Sequence, residues 1–279
     1  MAPTKLTLGH SPDPDDAFMF FGLAAGRIDT RGWAFEHVLQ DIQTLNERAQ
    51  RGELDITAIS IHAYPFVADK YALTHCGASM GDGYGPMVVT RAPLAVEDLR
   101  GKTIAIPGEM TTAFLALNLL LGRGNFGHRV VMFDQIIDEV ARGRADAGLI
   151  IHEGQLTFQN RKLHCVVDLG VWWKALTGLP LPLGGNAIRR SLGHEAMREV
   201  TAILKQSIEY SLAHRNEAVE HALQYAREMG RELADQFVGM YVNHWTIDYG
   251  DIGRRAIAEL LRRGHEIGMV PHVEKFEFI

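Results

Sequence analysis

The sequence has little of several features that would assign it to a special class of protein. Its 279 residues contain only two cysteines, which are too few for the disulfide framework of a small secreted domain. Neither Cys76 nor Cys165 has another cysteine or a histidine at metal-ligand spacing, so no metal site is expected, and a zinc site least of all. Acidic residues outnumber basic ones, 34 to 28. With no basic stripe to neutralise phosphates, no nucleic-acid partner is expected.

Long apolar runs are also missing. The longest apolar stretches, near Phe18–Gly26 and Ala113–Gly122, are too short to cross a bilayer. The first residues show neither the apolar segment nor the small-residue cleavage site of a signal peptide. We therefore expect a cytoplasmic protein with no membrane partner. The 47% hydrophobic and 22% charged residues are typical of a folded globular chain.

What the chain does contain is an alternation of strand and helix patterns. Period-two apolar alternation, helical spacing and capping residues predict the elements. Predicted strands are Lys5–Gly9, Trp33–Leu39, Asp55–Ser60, Pro86–Thr90, Thr103–Ile106, Val130–Phe133, Ala147–Ile151, Val166–Gly170 and Gly184–Ile188. Predicted helices are Phe18–Ile28, a helix from Asp41 to Gly52, Ile61–Lys70, a helix from Thr111 or Thr112 through Leu121, Gln135–Arg142, and several helices after Glu195.

This order predicts an α/β fold with mostly parallel sheets. Two such blocks, joined near Arg91 and near Gly185, predict two lobes. We expect residues 1–90 and 186–279 to form lobe 1, with the C-terminal helices packed back on it, and residues 91–185 to form lobe 2. Because ligands bind at the carboxyl ends of such strands, both lobes would face one central cleft.

His152 is the first candidate for chemistry. It follows the apolar strand Ala147–Ile151 directly, so its imidazole is expected to point into the crevice at the end of that strand. An unperturbed imidazole has a pKa near ~6.5, which suits proton abstraction at neutral pH. The alternative is an ordinary surface or capping histidine, since the chain holds thirteen histidines.

Two loops between a strand and a helix offer polar groups to a ligand. In the first loop, Ser11 and Asp16 are candidates for binding hydroxyl groups, although helix capping by Asp15 or Asp16 is the more common role. In the other lobe, Thr111 and Thr112 stand at a helix N-terminus, where unpaired N–H groups and the helix dipole favour a carboxylate or phosphate. Ordinary threonine capping is the alternative there.

The remaining candidates carry weaker signals. Ser60 ends its strand and is well placed for the cleft, whereas Asn46 lies mid-helix, where exposure to solvent is more common than a function. The glycines from Gly77 to Gly85 match no phosphate-binding motif and are expected to serve unusual backbone angles. Of the adjacent Trp172 and Trp173, one is expected in the core and one at its rim, although a pair could also stack on a flat ligand.

Taken together, these segments resemble 1,4-dihydroxy-6-naphthoate synthases of the futalosine route to menaquinone. The resemblance covers essentially the whole chain. Its sharpest parts are the Gly148–Glu153 segment and the stretch from Thr177 to Gly184, while the first loop and the glycines before Pro86 match more loosely.

The resemblance implies a two-lobed fold like that of periplasmic solute-binding proteins, of type II. It implies a carbon–carbon lyase that converts cyclic dehypoxanthinyl futalosine into 1,4-dihydroxy-6-naphthoate, with no metal or organic cofactor and a carboxylated aromatic small molecule as its partner. His152 would be the general base, and ligand contacts would fall on Ser60, Thr111 and Thr112.

The chain departs from the family pattern at three positions. Asp13 and Asp15 stand where the family usually shows cysteine and asparagine, and Ala58 stands where it usually shows lysine. Losing a cation and adding two acids is expected to weaken carboxylate binding there, and a related substrate is therefore an alternative.

Two other functions compete with this prediction. One is that of chorismate dehydratase, a sister enzyme of the same pathway and of similar fold that does not depend on a histidine at position 152. The other is solute binding without catalysis, because one fold serves many functions.

Overall fold

The fold is mixed α/β with two β-sheets. A computed structural model describes residues 4–226, 229–274 and 276–279. The strands are β1 (Thr4–His10), β2 (Trp33–Leu39), β3 (Ile56–Ser60), β4 (Tyr71–Leu73), β5 (Ser79–Gly81), β6 (Met87–Thr90), β7 (Thr103–Ile106), β8 (Gly127–Val130), β9 (Ala147–Ile150), β10 (His164–Asp168) and β11 (Leu181–Arg189).

The helices cover the faces of both sheets. They are α1 (Pro14–Met19), α2 (Phe21–Ala24), α3 (Ile42–Arg51), α4 (Thr112–Leu121), α5 (Ile136–Ala141), α6 (Gly154–Thr157), α7 (Leu169–Thr177), α8 (His194–Ala213), α9 (Arg215–Ala222), α10 (Arg231–Tyr241), α11 (His244–Ile247) and α12 (Gly250–Glu266). No helix within the described residues combines the length and the apolar character needed to cross a membrane.

Strand pairing separates the two sheets. The first has the order β2-β1-β3-β11-β4, with β5 also paired to β11, and the second has the order β10-β6-β9-β7-β8. The expectation of mostly parallel sheets is wrong: β11 runs antiparallel to β3, β4 and β5, and β6 runs antiparallel to β9 and β10. The first sheet thus contains one strand, β11, that joins it after the chain has formed all five strands of the second sheet.

The lobe boundaries at residues 90 and 185 stay a prediction. Strand membership puts β6 in the second sheet and all of β11 in the first. The chain therefore passes between the sheets in the segments before Met87 and before Leu181, where β6 and β11 begin.

Several elements follow directly from local sequence. Strands β2 and β7 have the predicted bounds. Asp41 caps α3 by accepting a hydrogen bond from the Thr44 N–H at 3.1 Å, and Gly52 ends the helix in the left-handed conformation at φ 67°. Strong caps at both ends explain why this helix was predictable from sequence.

Other elements were predicted wrongly. The expected helix over 61–70 is only a 3-10 turn at Tyr64–Phe66, because Pro65 cannot continue an α-helix. The expected strand Val130–Phe133 lies at Gly127–Val130, where pairing with β7 sets the register. The expected helix Phe18–Ile28 is two short helices, and its N-cap is Asp13 rather than Asp15 or Asp16.

The C-terminal helices join the cores of both sheets. On α8, Val200, Ile203 and Leu204 pack with Leu6 and Ile56 of the first sheet, as expected for helices that return to lobe 1. Apolar residues of α12, namely Ile257, Leu260 and Leu261, instead share a core with α4 and the second sheet. This packing fixes the position of α4 relative to the second sheet.

Candidate functional site

A cavity of about 130 Å³ lies between the carboxyl-end loops of the two sheets. We call it the central cleft. Its wall includes residues from both sheets and from α10: Ser11, Asp13, Asp15, Asp16, Met19, Ala58, Ser60, Gly77, Thr111, Thr112, Ala113, Ile151, Gly184, Asn186 and Tyr241. The cleft thus brings together five of the seven predicted site residues, but Asn46 and His152 do not line it.

Residues 11–16, which we call the acidic loop, form one end of the cleft. The Ser11 N–H donates to Asp16 Oδ2 at 2.6 Å, and the Ser11 hydroxyl donates to Asp13 Oδ2 at 2.5 Å. Neither Asp15 nor Asp16 caps the following helix, since Asp13 holds the N-cap position and makes no side-chain cap bond. The Asp15 and Asp16 carboxyl groups therefore do not have the capping role that was expected from the sequence.

Burial changes the acidity of this loop. It raises the pKa of Asp16 to about 7, against the lowering effect of the Ser11 N–H and with further raising by Asp13. Burial, Asp16 and Asp13 also raise the pKa of Asp15 well above its usual value. Because neighbouring carboxylates repel each other in a poorly solvated site, the two groups titrate together and hold a proton near neutral pH.

An Asp16→Asn variant tests this titration. The folded state keeps a proton on Asp16 that the unfolded chain releases near pH ~3.9, so wild-type stability falls as the pH rises from about 4 to about 7. The neutral variant, whose amide oxygen still accepts from Ser11, escapes this loss. We expect its free energy of unfolding to exceed that of the wild type by about 2 kcal/mol at pH 8, after discounting for partial exposure, and by less at pH 5.

Urea unfolding at the two pH values measures this difference. Asp69→Asn is the matched control, since the Asp69 carboxylate is 72% exposed on the surface. An Asp16→Asn gain that is equal at pH 5 and pH 8 would contradict a raised pKa of Asp16.

Asn46 supports Ser60 from behind the cleft wall. The Asn46 amide donates to the Ser60 hydroxyl at 2.9 Å, and the Ser60 N–H donates to Asn46 Oδ1 at 2.9 Å. Asn46 is fully buried, so the expectation of a solvent-exposed asparagine is wrong. Its polar atoms hold the end of β3 in place, and Ser60 itself faces the cleft.

Thr111 and Thr112 stand at the start of α4 and line the cleft. The Thr111 hydroxyl caps the helix, accepting from the Phe114 N–H at 3.3 Å. The Thr112 hydroxyl donates to the Leu183 carbonyl at 2.6 Å and accepts from the His62 N–H at 3.1 Å. The Thr112 hydroxyl thus holds α4 against β11 and the 61–62 turn, whereas the Thr111 hydroxyl is engaged at the start of α4 itself, where it also donates to the Gly108 carbonyl.

The first turn of α4 nevertheless keeps two donors for a ligand. The N–H groups of Thr112 and Ala113 donate to no acceptor among the described residues, as expected for the first turn of a helix. Both residues line the cleft. Together with the positive end of the helix dipole, these donors suit a carboxylate or another anion.

His152 lies beside the central cleft. Ile151 lines the cleft, whereas the next residue, His152, lines a neighbouring cavity of about 290 Å³ with Asp134, Asp138, Arg161 and Met229. We call this the His152 cavity. The imidazole is only 6% exposed and meets the Phe133 ring edge-on, with ring centroids 5.4 Å apart. The ring is therefore buried between segments from both halves of the chain, although it does not point into the cleft as expected.

One hydrogen-bonded link joins the cleft wall to the turn that carries His152. The Tyr241 hydroxyl donates to Gln155 Oε1 at 2.6 Å, and the Gln155 N–H donates to the His152 carbonyl at 2.9 Å. Since Tyr241 also lines the cleft, a shift of α10 on ligand binding would be transmitted to the 152–155 turn.

Sequence reasoning missed Asn186 and Tyr241, both of which line the cleft. Asn186 stands inside an apolar strand next to two glycines. A polar residue within an apolar strand could have identified this position as a candidate site residue. Tyr241 lies on α10, far along the chain from the other site residues, and no local pattern identifies it.

The glycines and tryptophans have mainly structural roles, as expected. Gly77 and Gly83 adopt positive φ angles of 82° and 85°, which favour glycine. Trp173 is fully buried and donates to the Pro180 carbonyl at 3.0 Å, while Trp172 is only partly buried. Neither tryptophan lines the cleft. Among the described residues, no group of three or more His, Cys, Asp or Glu side chains has the geometry to hold a metal ion.

Comparison with known proteins identifies relatives of this chain. A family model described as menaquinone biosynthesis matches residues 6–266. A 1,4-dihydroxy-6-naphthoate synthase of Streptomyces coelicolor is 40% identical over 275 residues, covering 97% of this chain and 96% of the relative. An enzyme of the same name from Thermus thermophilus is 40% identical over 264 residues, covering 95% of each chain.

Solved structures agree with the predicted fold. A crystal structure of an Archaeoglobus fulgidus protein superposes with a TM-score of 0.91 at 43% identity, covering 95% of this chain and 98% of that one. A Candida albicans protein with the generic periplasmic-binding-protein fold gives a TM-score of 0.66 at 14% identity, covering 99% and 98%. The predicted two-lobed fold class is confirmed.

Proposed function

Since the chain belongs to the menaquinone biosynthesis family, we propose that it is a carbon–carbon lyase that converts cyclic dehypoxanthinyl futalosine into 1,4-dihydroxy-6-naphthoate. The relatives of that name are 40% identical over nearly the full length of both chains. The observation in the structure that carries the proposal is the central cleft, where a helix N-terminus with two N–H donors faces the carboxyl ends of both sheets.

The substrate carboxylate binds at the first turn of α4 in this proposal. The N–H groups of Thr112 and Ala113 supply the hydrogen bonds, and the helix dipole adds ~0.3–2 kcal/mol of electrostatic attraction. Thr111 and Thr112 act mainly by fixing the helix, because their hydroxyls are bonded within the protein. Ser60, held by Asn46, lies on the wall of the same cleft.

His152 is the proposed general base. Breaking the carbon–carbon bond requires removal of a proton from the substrate, and a positioned imidazole suits this at neutral pH. We propose that the lobes close on the ligand and that the 152–155 turn then swings the imidazole past Ile151 into the cleft. The bond from Tyr241 to Gln155 supports this coupling, as does the position of His152 between two parts of the chain.

Closure would also exclude water during the reaction, which strengthens the electrostatic contacts within the cleft. We place this activity in the cytoplasm, in keeping with the biosynthetic activity of the relatives.

The direct test is incubation of the purified protein with cyclic dehypoxanthinyl futalosine, followed by chromatography of the products. Formation of 1,4-dihydroxy-6-naphthoate is expected, and chorismate offered in parallel should remain unchanged. Loss of water from chorismate would assign the sister activity, and binding of either compound without conversion would leave a solute-binding protein.

A further inference from the structure

The lining of the central cleft includes two chemically different groups. One is the first turn of α4, which offers N–H donors and positive potential. The other is the set of three carboxyl groups of the acidic loop, which repel an anion. A ligand that carries a carboxylate on one side and neutral polar groups on the other therefore fits the cleft in one orientation.

Asn186 supplies a polar group beside Met19, a residue that follows the acidic loop on α1. The residue is only 2% exposed and lines the cleft. Its amide nitrogen contacts the Met19 sulfur at 3.7 Å, a weak acceptor, and its Oδ1 accepts no hydrogen bond within the described part of the chain. This oxygen is not fully buried, so it meets solvent in the cleft, and a ligand donor can take the place of that solvent.

The surroundings of Asn186 hold its amide in place. A Cβ atom on Gly77 would lie 2.1 Å from Asn186 Nδ2, so the glycine is required for this packing. In the strand pairing, Asn186 stands opposite Ala58, another cleft residue. Met19, its sulfur contact, lies three and four residues after Asp16 and Asp15, a spacing that puts these side chains on the same side of a helix.

An alcohol hydroxyl is the ligand group that best fits the cleft wall at Asn186. Asn186 Oδ1 needs a hydrogen-bond donor, and its N–H₂ group can donate to an oxygen lone pair. A hydroxyl group satisfies both an amide and a carboxyl group, whereas a second carboxylate would be repelled by the acidic loop.

We propose that Asn186, with Asp16, binds hydroxyl groups of the sugar-derived part of the substrate and so orients its carboxylated ring toward α4. This assignment rests on the proposed function. Asn186 is then a specificity-determining residue, and the product-forming ring is held at the first turn of α4.

The test measures how an Asn186→Ala substitution changes the affinity for two ligands, one with hydroxyl groups and one without. For cyclic dehypoxanthinyl futalosine, which carries the hydroxyls, we expect KM to rise about tenfold, the loss of one or two neutral hydrogen bonds. For 2-naphthoate, which has the carboxylated ring and no hydroxyl, the inhibition constant should stay within about a factor of two. Asn186→Ser keeps a small hydrogen-bonding group and should give an intermediate KM.

Controls separate the possible failures. Asn118→Ala removes another buried asparagine, one that bonds to the Phe114 carbonyl at 2.9 Å outside the central cleft, and should change melting temperature without changing either ligand constant. If the wild type turns over its substrate, two results would overturn the proposed orientation. One is an equal loss of affinity for both ligands in Asn186→Ala, and the other is failure of 2-naphthoate to inhibit the wild type. Absence of wild-type turnover would instead overturn the proposed function, and the hydroxyl assignment with it.

Discussion

Turnover by a His152→Asn variant is expected to fall about a thousandfold, because a positioned general base contributes ~10²–10⁴ to an enzymatic rate. Asparagine fills a similar volume and cannot take up a proton, so the fold and substrate binding should be retained. The measurement is kcat with cyclic dehypoxanthinyl futalosine, together with the melting temperature of the variant.

His128→Asn is the matched control for this experiment. His128 is bonded to Glu109 at 2.8 Å outside the central cleft, and its loss should leave kcat unchanged. If His152→Asn kept wild-type turnover, the imidazole would have no part in the mechanism. The base would then be sought at Asp16, which lines the cleft itself and whose pKa is raised by burial to about 7.

Substrate binding should be lost almost completely when a carboxylate is built into the first turn of α4. In an Ala113→Asp variant, the new side chain would take the N–H donors proposed for the substrate carboxylate and would repel that group. Two unit charges about 4 Å apart in a partly desolvated site repel by ~4 kcal/mol. We expect KM to rise at least about a hundredfold relative to Ala113→Asn, which has the same shape without the charge.

Comparison of the two variants isolates the charge from the steric effect of a larger side chain. An acidic residue in the first turn also favours the helix itself, so the loss should not arise from unfolding, as thermal melting will verify. Equal KM values for the aspartate and asparagine variants would show that the substrate anion binds elsewhere.

The parts of the fold that sequence predicted well are those whose causes are local. β2 and β7 have the expected bounds because each carries its own apolar pattern, and α3 is bounded by Asp41 and Gly52. The family was also identifiable from the sequence, because its motifs are spread along the whole chain. The comparisons confirm that family.

The parts predicted wrongly depend on partners distant in sequence. β8 lies at Gly127–Val130 because β7 sets its register, not because of an apolar pattern of its own, since all four of its residues are exposed. Asn46 is buried because Ser60, fourteen residues later, matches its amide with a donor and an acceptor. The direction of the His152 side chain and the presence of Asn186 in the cleft are likewise set by tertiary packing.

The most direct test of this account is a crystal structure of the His152→Asn variant with cyclic dehypoxanthinyl futalosine bound. We predict the substrate carboxylate within hydrogen-bond distance of the Thr112 and Ala113 N–H groups, alcohol hydroxyls at Asn186 and Asp16, and residue 152 turned into the central cleft. A carboxylate at the acidic loop, or residue 152 still in the His152 cavity with the ligand enclosed, would contradict it.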